Sequence, residues 1–116
     1  MTDRLNELNT VEDLEGALAE SRVRPVLFFK HSLTCSVSTH AFEELQSYLS
    51  HADPRPSYNL ITVQTARTVS DEAASRLQIE HKSPQVILVR NGRELWNASH
   101  YAITAAALDQ AIRDSE

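Results

Sequence analysis

Apolar residues recur at spacings of three and four in four segments of the chain, as they do in helices that bury one face. The clearest stripe consists of Val37, Ala41, Leu45 and Leu49, with acidic and amide residues between them placed to face water. The spacing predicts helices at about 11–20, from Cys35 to a point before Asp53, at 70–77 and at 104–113.

Four other segments have the composition of strands. Residues 26–29 and 86–89 are continuously apolar, which is typical of strands covered on both faces. Residues 58–63 and 94–96 are half polar, and Asn59 lies within the first of these, so we expect both at the edges. The order α, β, α, β, α, β, β, α predicts an α/β fold with a four-stranded mixed sheet, the apolar pair at its centre and helices on its faces.

Capping and turn residues mark the ends of these elements. Thr10, followed three residues later by Asp13, indicates the start of the first helix. Thr68 or Ser70 is the expected cap of the third helix. Asn91-Gly92 between two strand-like segments predicts a hairpin, because both central positions of a type I′ turn need a positive φ.

Length and charge limit the classes of protein to consider. The 116 residues are expected to form one domain, residues 1–116, with 1–9 as a mobile N-terminal segment. The net charge of −5 and the absence of a Lys/Arg cluster argue against nucleic acid as a partner. No apolar run approaches the roughly 20 residues of a membrane span, and the polar N-terminus lacks a secretory signal. We therefore expect a cytoplasmic protein with no membrane partner.

Cys35 is the candidate for chemistry. It follows an apolar strand and a short polar loop and opens an amphipathic helix, whose free N–H groups and partial positive charge favour a thiolate. Lys30 and His31 are further sources of positive potential. A lone cysteine is more often a buried, inert residue, but the polar neighbours Thr34 and Ser36 favour the reactive interpretation.

A resident metal or cluster is not expected. One cysteine cannot form an internal disulfide or a Cys-rich metal site within one subunit. His40, His51 and His81 have no mutual spacing that suggests a metal site and are interpreted as surface residues. We predict no tightly bound cofactor.

The ordered set of strand, cysteine at a helix start, and Ser-Pro before a hairpin resembles the thioredoxin fold, and most closely the monothiol branch of the bacilliredoxin family. The resemblance covers about 25–112, and the residues that carry it are 28–38, 63–67, 81–85, Asn91-Gly92, Trp96 and Ser99-His100. In two places the chain departs from the family pattern. Ser36 replaces the proline that follows the cysteine in the family, and it keeps an N–H as a donor to a thiolate. The family also has an acidic residue near the position of Thr65, which this chain lacks.

The resemblance implies a thiol–disulfide oxidoreductase that removes a low-molecular-weight thiol, bacillithiol, from mixed disulfides on client proteins. Cys35 would attack the small-thiol sulfur and free the client cysteine. Ser38 stands where a dithiol relative would hold a resolving cysteine, so a second thiol molecule or a flavoprotein disulfide reductase must reset Cys35.

The resemblance also implies the substrate-binding residues. Pro84 would be cis and lie beside Cys35, with the backbone of Ser83 available to a substrate; a trans proline that starts a strand is the open alternative. Arginine and lysine suit the carboxylates of bacillithiol. The residues assigned to thiol or substrate binding are Lys30, His31, Thr34, Ser36, Ser38, Arg67, Ser83 and Pro84, with Lys82 as a further cation.

Two other functions stay open at this point. One is a redox-inactive thioredoxin-like module that binds a peptide or protein in the proline groove. The other is cluster or metal carriage by a pair of subunits, which Ser36 and Val37 disfavour because monothiol glutaredoxins have Gly-Phe there.

Overall fold

The computed structural model describes residues 5–115 and has the predicted α/β architecture. One mixed sheet contains five strands in the order β1-β3-β2-β4-β5. The strands are β1 (Leu5–Glu7), β2 (Val26–His31), β3 (Ser57–Thr62), β4 (Gln85–Arg90) and β5 (Arg93–Ser99). The first three in this spatial order are parallel, whereas β4 is antiparallel to β2 and β5 is antiparallel to β4.

Helices cover both faces of the sheet. The helices are α1 (Val11–Glu20), α2 (Ser36–Leu49), α3 (Arg67–Leu77), α4 (Ala105–Asp114) and a short 3-10 helix at His100–Ala102. One apolar core lies between the sheet and α1 and α3, and the other lies between the sheet and α2 and α4. None of the helices within the described residues is long and apolar enough to cross a membrane.

The prediction of four strands with β3 at the edge is wrong. Leu5–Glu7 pairs in parallel with β3, so β3 lies inside the sheet, and part of the N-terminal segment expected to be mobile is a strand; residues 1–4 of that segment lie outside the described residues. The polar Asn59 is tolerated in an interior strand because its Nδ2 donates to Leu27 O at 3.2 Å and to Ser57 Oγ at 3.0 Å.

The predicted helix start at Thr10 and the predicted hairpin turn at Asn91-Gly92 are both confirmed. Thr10 Oγ1 accepts the Asp13 N–H at 3.0 Å, and Asp13 Oδ2 accepts the Thr10 N–H at 3.2 Å, which completes a capping box. Asn91 and Gly92 both have positive φ, 56° and 73°, as the hairpin turn requires.

The predicted start of α3 is wrong by three residues, because the helix begins at Arg67 and its N-cap is Ala66. The turn that follows β3 runs directly into the helix, since Thr62 O accepts the Ala66 N–H at 2.9 Å and Ala66 O accepts the Ser70 N–H at 3.0 Å. Thr68 and the buried Ser70 therefore lie within α3, and neither is its cap.

The register of the strands brings four connections together at one edge of the sheet, the edge formed by the ends of the strands and not by an outer strand. The last residue of β2, His31, is opposite Thr62 of β3, and Lys30 is opposite Gln85 at the start of β4. Gln85 is in turn opposite Ser99 at the end of β5. The loop that leads to α2, the connection from β3 to α3, the segment before β4 and the 3-10 helix after β5 therefore meet at this edge.

Candidate active site

Cys35 lies at this edge as the N-cap residue of α2, where the sequence predicts it. Its backbone is extended (φ −116°, ψ 121°), its carbonyl oxygen accepts the Thr39 N–H at 3.1 Å, and its side chain makes no capping hydrogen bond. The thiol is free and partly exposed. A residue in this position lies next to the unpaired N–H groups and the positive end of the helix dipole.

Two side chains hold the loop that precedes Cys35. Ser38 Oγ, on α2, accepts the Ser32 N–H at 2.9 Å. Gln64, after β3, accepts the Leu33 N–H on Oε1 at 3.0 Å and donates from Nε2 to Ser32 Oγ at 2.9 Å and to Thr34 Oγ1 at 3.3 Å. Gln64 is not among the predicted site residues, because its role depends on a loop distant in sequence.

His31 and Ser38 contact each other and also help to hold the loop before Cys35. Ser38 is fully buried, and its Oγ lies 2.7 Å from His31 Nδ1. Because this oxygen already accepts the Ser32 N–H, its own proton is available to His31 Nδ1. The His31 ring stacks on Phe42 with centroids 4.9 Å apart. Burial lowers the pKa of His31, which disfavours the cationic ring, and the role of His31 beside the thiolate stays a prediction.

Lys30 lies on the opposite face of β2 and is fully buried. Its Nζ donates to Ser70 O at 3.0 Å and lies 3.2 Å from His81 Nδ1. Burial lowers the pKa of Lys30 to about 8, and Asp71 opposes this effect. The structure corrects the expectation that Lys30 binds a carboxylate of a small thiol, since a fully buried ammonium cannot contact a ligand at the surface.

Pro84 follows a cis peptide bond with Ser83, which confirms the expectation and excludes the trans alternative. The Pro84 carbonyl oxygen accepts the His100 N–H at 3.2 Å, so the 3-10 helix after β5 is fixed against this loop. Ser83 Oγ is buried and has no hydrogen-bond partner within residues 5–115. An unpaired buried hydroxyl is unusual in a folded protein and gives this loop an unused donor and acceptor.

The remaining predicted residues are exposed at or near the same edge. Thr34 and Ser36 flank Cys35, and Arg67 is the first residue of α3, three positions after Gln64. Neither Arg67 nor Lys82 forms a salt bridge with any residue in the described part of the chain. Within residues 5–115 these two cations therefore have no ion-pair partner.

Two of the connections that meet at this edge carry an exposed apolar side chain. Leu33, two residues before Cys35, is 59% exposed, and Tyr101, in the 3-10 helix, is 69% exposed. Tyr101 contacts the ring of His40 on α2, with centroids 5.9 Å apart. The edge thus combines one nucleophile, unpaired cations and exposed apolar groups.

Comparisons with known proteins agree with this geometry. Residues 6–108 match the family model described as monothiol bacilliredoxin BrxC. A solved structure described as a candidate oxidoreductase with a thioredoxin fold is 30% identical, with a TM-score of 0.82 over 93% of each chain.

Thioredoxins share the fold at lower identity. The protein from Fasciola hepatica is 15% identical, with a TM-score of 0.76 over 96% of this chain and 99% of its own. Thioredoxin from Trypanosoma brucei brucei is 14% identical, with a TM-score of 0.76 over 99% of this chain and 96% of its own. By the extent of the family match and by the structural similarity, the chain belongs to the monothiol bacilliredoxin family and has the thioredoxin fold.

Proposed function

We propose that this thiol oxidoreductase removes a low-molecular-weight thiol, such as bacillithiol, from mixed disulfides on client proteins. The observation that carries the proposal is the free Cys35 thiol at the N-terminus of α2, on the sheet edge that also holds cis-Pro84. The chain has no second cysteine to close an internal disulfide. A single activated thiol can exchange disulfides but must be reset by another molecule.

The first step is an exchange between sulfur atoms. The Cys35 thiolate attacks the small-thiol sulfur of the mixed disulfide, and a new S–S bond forms as the bond to the client breaks. The client cysteine leaves as a thiolate and takes a proton from solvent. Cys35 is left disulfide-bonded to the small thiol, and no net oxidation or reduction occurs.

The second step needs a partner. A second molecule of the small thiol attacks the small-thiol sulfur bound to Cys35, which releases the Cys35 thiolate and forms the symmetrical disulfide of the small thiol. A disulfide reductase of the flavoprotein class would return that disulfide to two thiols. Because this cycle needs a reducing thiol pool, we place the protein in the cytoplasm.

Charge and hydrogen-bonding groups at the edge suit bacillithiol, whose malate part carries carboxylates. Arg67 and Lys82 are exposed and unpaired among the described residues, so either can bind a carboxylate without breaking a salt bridge. The buried Ser83 hydroxyl lacks a partner, and a bound mixed disulfide would supply one. Ser36 keeps a backbone N–H in the first turn of α2 that can donate to the Cys35 thiolate.

The test is intact-mass spectrometry after incubation with a bacillithiolated client and, separately, a glutathionylated client, with Cys35→Ser as the control. Transfer of the bacillithiol mass to the wild type alone supports the proposal. Preferential transfer of glutathione would keep the mechanism and replace the substrate. If neither mass is transferred, the oxidoreductase proposal is refuted.

A peptide-binding module is the second candidate function, and the exposure of Leu33 and Tyr101 favours it. Contiguous exposed apolar surface commonly marks a protein contact, and both residues lie on connections that meet at the edge with Cys35. Client binding that persists in Cys35→Ser, together with an absence of thiol transfer in the wild type, would favour this function over the oxidoreductase.

A further inference from the structure

We propose that Gln64 is the positioning residue of the nucleophile: its side-chain amide fixes the loop before Cys35 so that the sulfur is held over the N-terminus of α2. The inference deepens the proposed function and assigns Gln64 no contact with substrate. It rests on three hydrogen bonds from one amide to three consecutive residues of that loop.

The bonds use both ends of the amide. Oε1 accepts the Leu33 N–H at 3.0 Å, while Nε2 donates to Ser32 Oγ at 2.9 Å and to Thr34 Oγ1 at 3.3 Å. A carboxylate could keep the first bond and could accept from the two hydroxyls only after they turn to donate, and an apolar side chain of the same length could form none of the three bonds. The loop therefore requires a polar side chain at this position.

Gln64 lies two residues after the end of β3, beside a residue that is paired to the sheet. The Val63 N–H donates to His31 O at 2.9 Å, which extends the pairing of β2 and β3 to the residue before Gln64. The loop is thus bound to the sheet through Gln64 on one side and to α2 through Ser38 on the other. Without Gln64, the Leu33 N–H and the hydroxyls of Ser32 and Thr34 lose these partners.

A role in general stability is a poor explanation for these contacts. Gln64 is exposed and belongs to neither apolar core, so its loss leaves the packing intact. Loss of Gln64 should instead make the loop more flexible. A flexible loop must lose conformational entropy each time it adopts the reactive conformation, and this cost slows the reaction. Disulfide exchange needs an aligned approach of the attacking sulfur, so a mobile nucleophile reacts more slowly.

The test compares Gln64→Met, which removes all three bonds, with Gln64→Glu, which keeps an acceptor for the Leu33 N–H. The matched control is Gln110→Leu, which removes a glutamine from the exposed face of α4. Four quantities are measured on each protein: the rate of small-thiol transfer, the rate of Cys35 alkylation by iodoacetamide at pH 7, hydrogen exchange at the Leu33 amide, and the thermal unfolding midpoint.

In Gln64→Met we expect transfer to fall by about tenfold, in line with the sensitivity of reaction rates to small misplacements, and alkylation to slow severalfold. The Leu33 amide should exchange faster in Gln64→Met and stay protected in Gln64→Glu, while the unfolding midpoints and the control remain at the wild-type values. Wild-type transfer in Gln64→Met, unchanged exchange at Leu33, or equal slowing in Gln110→Leu would overturn the inference. If the wild type transfers no thiol, the proposed function fails, and the alkylation and exchange measurements still decide the role of Gln64.

Discussion

Replacing Lys30 by methionine should remove a specific pH dependence of stability. Lys30 is fully buried, and burial lowers its pKa from 10.5 to about 8 in the folded protein. The unfolded chain keeps this proton up to about pH 10.5, whereas the folded chain releases it near pH 8. Between these pH values the unfolded state binds more protons, so the free energy of unfolding rises with pH.

The size of the effect follows from the difference in pKa. A pKa difference of about 2.5 between the folded and unfolded states, at about 1.4 kcal/mol for each pKa unit, gives about 3 kcal/mol. Below pH 8 the charged ammonium, bonded to Ser70 O and close to His81 Nδ1, lowers the free energy of unfolding by this amount relative to the neutral amine. Lys30→Met has no ionisable group at position 30, so its free energy of unfolding should not show this increase with pH.

The assay is urea unfolding followed by circular dichroism at intervals from pH 7.5 to 10.5. We expect the unfolding free energy of the wild type, relative to Lys30→Met, to increase by about 3 kcal/mol over this range. Lys82→Met is the matched control, because Lys82 is exposed, and it should follow the wild-type curve. A difference between wild type and Lys30→Met that stays constant with pH would refute the assignment of a buried, titrating ammonium.

Three further predictions concern single positions. Thr10→Ala removes the oxygen that accepts the Asp13 N–H and should lower the free energy of unfolding by about 1 kcal/mol, measured by urea unfolding; an unchanged value would show that the capping box is dispensable. Ser38→Cys places a second thiol one turn after Cys35 and should release the transferred small thiol by closing an internal disulfide, seen as loss of two hydrogen atoms in the intact mass; a persistent mixed disulfide would contradict this. Arg67→Gln should raise the KM for a bacillithiolated client severalfold with little change in kcat, and an unaltered KM would remove Arg67 from carboxylate binding.

Elements whose signals are local could be predicted from the sequence. The capping box at Thr10 and the turn at Asn91-Gly92 depend on residues within a few positions of each other, and both are confirmed. Cys35 belongs to the same class, because a helix start can be recognised from the residues around it. These predictions required no knowledge of the rest of the fold.

Features that depend on distant pairing could not be predicted in this way. The interior position of β3 is set by β1, whose Leu5–Glu7 sequence is too short and polar to be recognised as a strand. The burial of Lys30 requires α3 and the loop carrying His81 to cover one face of β2. Gln64 acts on a loop 31 residues away, and no residue near it in sequence indicates that contact.

The Ser38 hydroxyl has an evolutionary consequence. It accepts the Ser32 N–H and contacts His31 Nδ1, so the place of a resolving thiol is occupied by a group with structural bonds of its own. A sulfur at this place is larger and a weaker hydrogen-bonding group, and it would leave both partners poorly satisfied. A dithiol form could still close its disulfide, but we expect it to gain a compensating change at His31 that restores support of the loop, so the two positions should change together.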